Sequence, residues 1–215
     1  MSHQNSKLNI DDIGKQLGLT PQFLFDAANA ASTQYTIFDL PKRAGGVRTI
    51  CSPKNELKRL QRAILEALLW DFEMPQHVHG CVRGRSIVSN AQPHVNKPLV
   101  LTIDIKDFFG SIGVVVVNKI YQDYFHCDEH SADILTKLTT YGNFLPQGAP
   151  TSPTLANIAA LPLDQSILEI CQQNLVSFGY SRYVDDITLS GDSKLALLLP
   201  QFYRAVSNNG FTTNK

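Results

Sequence analysis

The stretch SRYVDDITLS, residues 181–190, places two acidic residues, Asp185 and Asp186, next to each other in a segment with the composition of a β-strand. Its β-branched, aromatic and aliphatic residues fit a pleated, half-buried surface. Two neighbouring carboxylates repel each other, and burying one is costly unless a cation compensates its charge. The stretch therefore has two interpretations: a solvent-screened hairpin turn, where Asp is common, or a turn that presents both carboxylates to a divalent cation.

The composition indicates a folded globular protein. The chain has 215 residues, of which 43% are hydrophobic and 18% are charged. This length is sufficient for a substantial core. No apolar run approaches the roughly 20 residues that a membrane-spanning helix needs. The polar beginning MSHQNSKLNIDD lacks the apolar segment of a secretion signal. We therefore expect a soluble, cytoplasmic protein without a membrane partner.

Charge is distributed unevenly along the chain, although the formal net charge is zero. From Lys42 to Arg62 many basic residues accompany a single acid, Glu56, whereas acids outnumber bases from Leu101 onward. A basic segment followed by an acidic one is expected of a protein that binds a polyanion and also holds a metal ion.

The basic segment combines a hairpin with a helix. YTIFDLPKRAGGVRTICSP, residues 35–53, predicts two strands around a Gly45-Gly46 turn, and its last two residues predict the start of a helix. Lys54, Lys58 and Arg62 recur every four residues and share one face of that helix. This face either contacts a nucleic acid or is simply solvated, and the spacing favours neither.

PLVLTID, residues 98–104, is a nearly continuous apolar run and predicts a strand buried on both faces that ends in Asp104. Further along, the spacing of apolar residues in 112–124 favours a helix, Asp128 predicts a helix N-cap, and Pro162 is expected to kink or break a helix that opens at Ser152. Because strands and helices mix without strict alternation, the sequence predicts the α+β class.

Asp104 at a strand end and the Asp185–Asp186 pair in a turn form a candidate metal site. Mg²⁺ prefers oxygen ligands, and two such ions roughly 3.5–4 Å apart can activate an attacking hydroxyl and stabilise a leaving oxygen. Bound cations would relieve the repulsion between the acids. Basic side chains of the hairpin would neutralise a triphosphate, where positioning and charge stabilisation supply most of the catalysis.

These segments together resemble a reverse transcriptase over nearly the whole chain. LTIDIKDFF resembles motif A, LPQGAPTSPTLAN motif B, YVDD motif C and GFTTNK the start of motif D, while IFDLPKRAGGVRTICSP resembles the fingers hairpin. The resemblance implies a right-hand polymerase with a small antiparallel palm sheet packed on helices. It assigns 1–97 to N-terminal helices and fingers, with the hairpin at 35–53, and 98–215 to the palm. Motifs A, B, C and D would occupy 100–109, 144–157, 183–186 and 210–215, and the thumb would be absent.

The resemblance also implies a role for individual residues. Asp104 and Asp185 would be the principal ligands of two Mg²⁺ ions, with Asp186 in support and the Ile105 carbonyl completing the shell. Phe109 would close on the sugar and exclude a 2′-hydroxyl, although a Phe after a strand is ordinarily a core residue. The remaining nucleotide contacts would come from residues of the hairpin and of motif B, namely Lys42, Arg43, Arg48, Gln147 and Gly148.

A further stretch, HGCVRGRSIVSNAQPHVNK, carries Asn90, Ala91 and His94 and is similar to the NAxxH signature of bacterial retron reverse transcriptases. Asn90 and His94 would contact RNA, or form a local hydrogen-bonding pair, or both. Enzymes of this group copy a structured non-coding RNA into msDNA, prime from a 2′-hydroxyl within that RNA, form an RNA–DNA hybrid from dNTPs, and act with an effector protein in phage defence. The alternatives are a group II intron-like or other defence reverse transcriptase, and a non-catalytic RNA-binding scaffold.

Overall fold

The protein is described by a computed structural model covering residues 7–41 and 45–214. These residues form two compact units. The first contains Ile112–Leu155 and the described residues up to Phe72, and the second contains Glu73–Ser111 and the described residues from Ala156 onward. Helices alternate irregularly with strands that form two small antiparallel sheets, which confirms the predicted α+β class. In the part of the chain that is described, no helix has the length and apolarity to cross a membrane.

The first unit is a helical core that carries a two-stranded hairpin. The hairpin that the sequence predicts joins β1 (Tyr35–Pro41) to β2 (Val47–Pro53), and its strands are antiparallel with Tyr35 opposite Pro53. Its helices are α1 (Ile10–Leu17), α2 (Pro21–Ala30), α3 (Asn55–Ala67), α5 (Val114–Asp123) and α6 (Glu129–Thr139). The buried residues at its centre include Leu24, Leu60, Ile64, Val117, Tyr121, Leu135 and Leu138.

Capping residues fix two of these helices where the sequence predicts them. The Thr20 side chain accepts from the Phe23 amide, with Pro21 in the first turn, and Asp128 accepts from the Ser131 amide. The predicted start of α3 was wrong by two residues. Residues 52 and 53 end β2, and α3 begins after Lys54, because strand pairing extends through Pro53.

The second unit is built around a three-stranded antiparallel sheet in the order β3-β5-β4. Its strands are β3 (Leu99–Asp104), β4 (Phe178–Tyr183) and β5 (Asp186–Gly191). The short helix α4 (Ile87–Ala91) and the 3₁₀ turn after it contact β4, and α8 (Leu161–Gln173) packs against α9 (Leu199–Asn208). Helix α7 (Ser152–Ala159) ends just before α8, where Pro162 stands in the first turn, so the predicted break is confirmed.

The predicted burial of β3 on both faces was wrong. β3 is an edge strand, and its exposure alternates: Ile103 is buried whereas Val100, Thr102 and Asp104 are exposed. Only one face of the strand meets the core. Among the described residues of this unit, its second edge pairs with no strand, although the segment 212–214 forms hydrogen bonds at its end. Asp104 therefore lies on an accessible face, where a solvated ligand can reach its carboxylate.

The predicted boundary between fingers and palm at residue 97 does not coincide with the boundaries of the two compact units. Both compact units are discontinuous in sequence, since 112–155 joins the first and 73–111 joins the second. The assignment of 1–97 to the fingers and 98–215 to the palm, with motifs at the positions given above, stays a prediction.

Candidate active site

The hairpin of the second unit places Asp185 in a two-residue turn. β4 ends at Tyr183 and β5 begins at Asp186, so Val184 and Asp185 connect the strands. Val184 has a φ of 58°, which is uncommon for a β-branched residue. The turn is thus fixed in a specific backbone conformation and is more than a generic solvent-exposed loop.

Asp104 lies beside this turn, on the strand next to β5. Asp104 and Asp186 are paired in the β3–β5 register, and the Ile105 amide donates to the Asp185 carbonyl at 3.0 Å. Asp104 and the Asp185–Asp186 pair, which are remote from each other in sequence, therefore meet at one end of one sheet. This placement is what a shared metal site at that end requires.

The carboxylates at this end repel one another. Partial burial raises the pKa of Asp186, and the charges of Asp185 and Asp104 raise it further. A divalent cation would reverse this effect by favouring the ionised form.

The donor set fits such a cation in type and charge, since carboxylate oxygens are the ligands that Mg²⁺ prefers. The side chains are not, however, gathered into a ready-made site. Within 7–41 and 45–214, no three His, Cys, Asp or Glu side chains already form a group that could hold a metal ion. The structure brings the backbones of Asp104, Asp185 and Asp186 close together, but their side chains do not converge on one point.

The segment 212–214 runs alongside the end of β3 and contacts Asp104. The Lys106 amide donates to the Thr212 carbonyl at 2.8 Å, and the Asn214 amide donates to the Asp104 carbonyl at 2.9 Å. The Asn214 side-chain amide also donates to Oδ2 of Asp104 at 2.8 Å. Sequence reasoning did not single out Asn214. The hydrogen bond from the Asn214 side chain orients the Asp104 carboxylate. The next residue, Ile105, forms an antiparallel β-bridge with Thr213 of the same 212–214 segment.

Phe109 follows β3 in the same unit and is only half-buried. Its ring packs edge-on against that of Phe108, with centroids 5.8 Å apart, and Phe108 in turn packs against Phe211. Phe108 is therefore the core residue of this pair, which leaves the Phe109 ring partly accessible. Its predicted role as a sugar-sensing residue stays a prediction.

The first unit contains Arg48, Gln147 and Gly148, the remaining candidate nucleotide-binding residues that the structure describes. Arg48 is exposed on β2, opposite Leu40. The Cys51 amide of the same strand donates to the Gln147 carbonyl at 2.9 Å. Gly148 has a φ of 128°, and a Cβ there would lie 3.1 Å from the Cys51 carbonyl oxygen. The motif B loop is thus packed closely on the hairpin that carries Arg48. Lys42 and Arg43 lie outside the described residues.

The predicted RNA-binding residues fall into two groups. Lys54 and Arg62 are exposed and Lys58 is partly exposed, and the Lys54 ammonium donates to the Thr33 carbonyl at 3.0 Å. This arrangement is compatible with either of the two interpretations of that face, so RNA contact by these residues stays a prediction.

Asn90 and His94 form internal hydrogen bonds in the second unit. The two His94 ring nitrogens lie 2.8 Å from the hydroxyls of Ser190 and Ser181, and the Ser181 hydroxyl donates to the Asn90 carbonyl at 3.2 Å. Burial, together with the charge of Lys97, lowers the pKa of His94 and favours the neutral ring. The local hydrogen-bonding role is therefore observed for the His94 side chain. Asn90 takes part through its backbone, and its buried side-chain Oδ1 has no hydrogen-bond partner among the described residues. RNA contact by both residues stays a prediction.

Comparisons with known proteins identify the family of the chain and its fold. Residues 40–215 match the family model described as reverse transcriptase (RNA-dependent DNA polymerase). The chain belongs to the reverse transcriptase family. A solved telomerase from Candida albicans, in complex with a fragment of telomeric RNA, shares the fold with a TM-score of 0.59 at 13% identity, over 84% of this chain and 41% of that one.

The curated proteins that the chain resembles in sequence include reverse transcriptases of one kind, those of retrons. The retron Mx65 reverse transcriptase of Myxococcus xanthus is 32% identical over 94% of this chain and 52% of its own length. The retron Ec86 reverse transcriptase of Escherichia coli is 35% identical over 86% of this chain and 58% of its own length. The chain thus spans about half the length of the relatives it matches.

Proposed function

We propose that this chain is the fingers and palm part of an RNA-directed DNA polymerase of retron type. The observation that carries the proposal is the pairing of Asp104 with Asp186 beside the Asp185 turn. The identities to two retron reverse transcriptases favour the retron type over a group II intron-like enzyme. The template would be a structured non-coding RNA copied into msDNA in the bacterial cytoplasm, with an effector protein acting in phage defence.

In this proposal Asp104 and Asp185 hold the metal, with Asp186 and the Ile105 carbonyl in support. When bound, two Mg²⁺ ions would supply activation of the primer hydroxyl and neutralisation of charge on the transferred phosphate. Asn214 keeps the Asp104 carboxylate oriented, since its side chain donates to Oδ2. Arg48, with Lys42 or Arg43, would bind the triphosphate oxygens, and Gln147 and Gly148 would position the incoming dNTP.

Primer extension on an RNA template with dNTPs and Mg²⁺ tests the proposed function. We expect incorporation by the chain itself or by the chain extended with a thumb from a relative, because the backbones that carry Asp104, Asp185 and Asp186 lie at one end of one sheet. Incorporation in neither form, with RNA binding intact, would contradict the polymerase proposal and favour a non-catalytic RNA-binding scaffold.

Phe109→Ala is expected to admit ribonucleotides. Removing the half-buried ring would open the space that a 2′-hydroxyl needs, so the preference for dNTP over rNTP should fall by about 10- to 200-fold, the range for a steric pocket contact. Competition between dNTP and rNTP in primer extension measures this preference. Tyr203→Ala, which removes an exposed ring on α9, is the control and should leave it unchanged. Unaltered discrimination in Phe109→Ala would remove the assignment.

A further inference from the structure

Arg182, the residue before Tyr183, is completely buried and bound on every side. Its Nε and Nη2 donate to the two Asp164 carboxylate oxygens at 2.7 and 2.8 Å. Nη2 also donates to the Asn157 carbonyl at 3.0 Å, and Nη1 donates to Asn157 Oδ1 at 2.9 Å and to the Val184 carbonyl at 3.0 Å. A guanidinium has five N–H donors, so these five acceptors use all of them.

The last of these acceptors lies in the turn before the acidic pair. Val184 adopts a left-handed conformation, in which a β-branched residue is strained. Gly80 presses on the same residue, since a Cβ there would lie 2.5 Å from the Val184 amide nitrogen. Asn157 fixes Gly80 in turn, because its side-chain amide donates to the Gly80 carbonyl at 2.8 Å. Strain of this kind persists only where the surroundings impose it.

The turn is also tied to the strand that carries Asp104. The Asp185 carbonyl accepts from the Ile105 amide, as described above, so a shift of Val184 would move Asp185 relative to β3. A chain of contacts therefore runs from the buried Asp164–Arg182 pair, through the Val184 carbonyl, to the position of Asp185 beside Asp104.

We propose that Arg182 is a positioning residue that holds the Val184–Asp185 turn in register with the end of β3. The effect of this positioning on catalysis rests on the proposed polymerase activity. The hydrogen bonds that hold the turn do not depend on it. Asp164 aligns the guanidinium through two parallel hydrogen bonds, which leaves Nη1 directed at the Val184 carbonyl. A lysine keeps the charge but has three donors on a flexible stem, so it cannot replace the five hydrogen bonds that Arg182 makes to Asp164, Asn157 and Val184.

Hydrogen exchange of the Ile105 amide in Arg182→Lys tests the proposal. We expect this amide to exchange at least about tenfold faster than in the unsubstituted chain, because its acceptor on Asp185 becomes mobile. The amides of Leu101 and Leu189, paired in the same sheet further from the turn, should keep their rates. Arg204→Lys, an exposed substitution of the same kind on α9, is the control. An unchanged Ile105 rate, or equal acceleration at all three amides, would overturn the proposal.

A second variant covers the case in which Arg182→Lys does not fold. Arg182→Gln/Asp164→Asn removes both buried charges together and leaves no unpaired ion, while Gln cannot supply all five donors. The same selective acceleration at Ile105 is expected, and its absence would overturn the proposal.

Catalysis gives an independent readout where primer extension is active. In Arg182→Lys, kcat should fall by about 10²-fold while the affinity for RNA is retained, since a misplacement of about 1 Å costs this much. A fall only in the fraction of active molecules, with kcat per active site unchanged, would overturn the positioning role. Selective exchange at Ile105 without polymerase activity in any variant would contradict the proposed function and leave the positioning role standing.

Discussion

Asp185→Asn is expected to lower DNA synthesis by at least about 10²- to 10³-fold, the effect of removing one group that stabilises charge in a transition state. Asn has nearly the same shape as Asp and is equally at home in a turn, so the hairpin should form unchanged. What is lost is the negative charge that Asp185 contributes beside Asp104 and Asp186. Single-turnover primer extension in Mg²⁺ measures this loss.

The same substitution should not reduce stability or RNA affinity. Burial and the neighbouring acids raise the pKa of Asp186, so removing one of those acids relieves repulsion in the absence of metal. The melting temperature of Asp185→Asn without metal should therefore equal or exceed that of the unsubstituted chain.

Asp192→Asn is the matched control for this prediction. Asp192 caps the 3₁₀ helix that follows β5, and Asn caps equally well, so synthesis should be retained. If Asp185→Asn lost RNA binding and synthesis in equal measure, the carboxylates of the turn would be structural.

Features encoded by neighbouring residues were predictable from the sequence. The Thr20 and Asp128 caps, the hairpin of the acidic pair and the helix break near Pro162 each depend on a few consecutive residues. The edge position of β3 was not predictable, because an apolar run looks the same at the centre and at the edge of a sheet. Which strands pair is a property of the whole unit.

The candidate site divides in the same way. The acidic residues stand out because adjacent like charges in a strand need an explanation, and the resemblance to a reverse transcriptase joins them to Asp104. Arg182 and Asn214 gave no comparable signal. Arg182 pairs with Asp164 on a different element, and Asn214 is an uncharged residue whose partner, Asp104, lies far away in sequence. Contacts of this range become visible only in three dimensions.

Asp164→Asn is expected to lower the free energy of unfolding by about 3–5 kcal/mol, because it leaves the Arg182 charge buried without its counter-ion. This is a large part of the roughly 5–15 kcal/mol that keeps a typical domain folded. Urea unfolding followed by circular dichroism measures the change. Asp123→Asn, at an exposed acid, is the control and should shift stability by no more than about 0.5 kcal/mol.

The acid dependence of stability provides a second measure of the same pair. Burial alone would raise the pKa of Asp164, but interactions with His77 and Arg182 outweigh it and hold that pKa below its usual value. The ionised carboxylate therefore contributes stability that is fully present above about pH 4, the ordinary Asp pKa, and is lost as the pH falls through the lower folded value. Asp164→Asn should remove this part of the acid dependence. Asp164→Asn could also unfold at the same urea concentration as the unsubstituted chain at neutral pH. Arg182 would then have to be solvated or otherwise compensated, and the Asp164–Arg182 pair could not be what anchors the Val184–Asp185 turn.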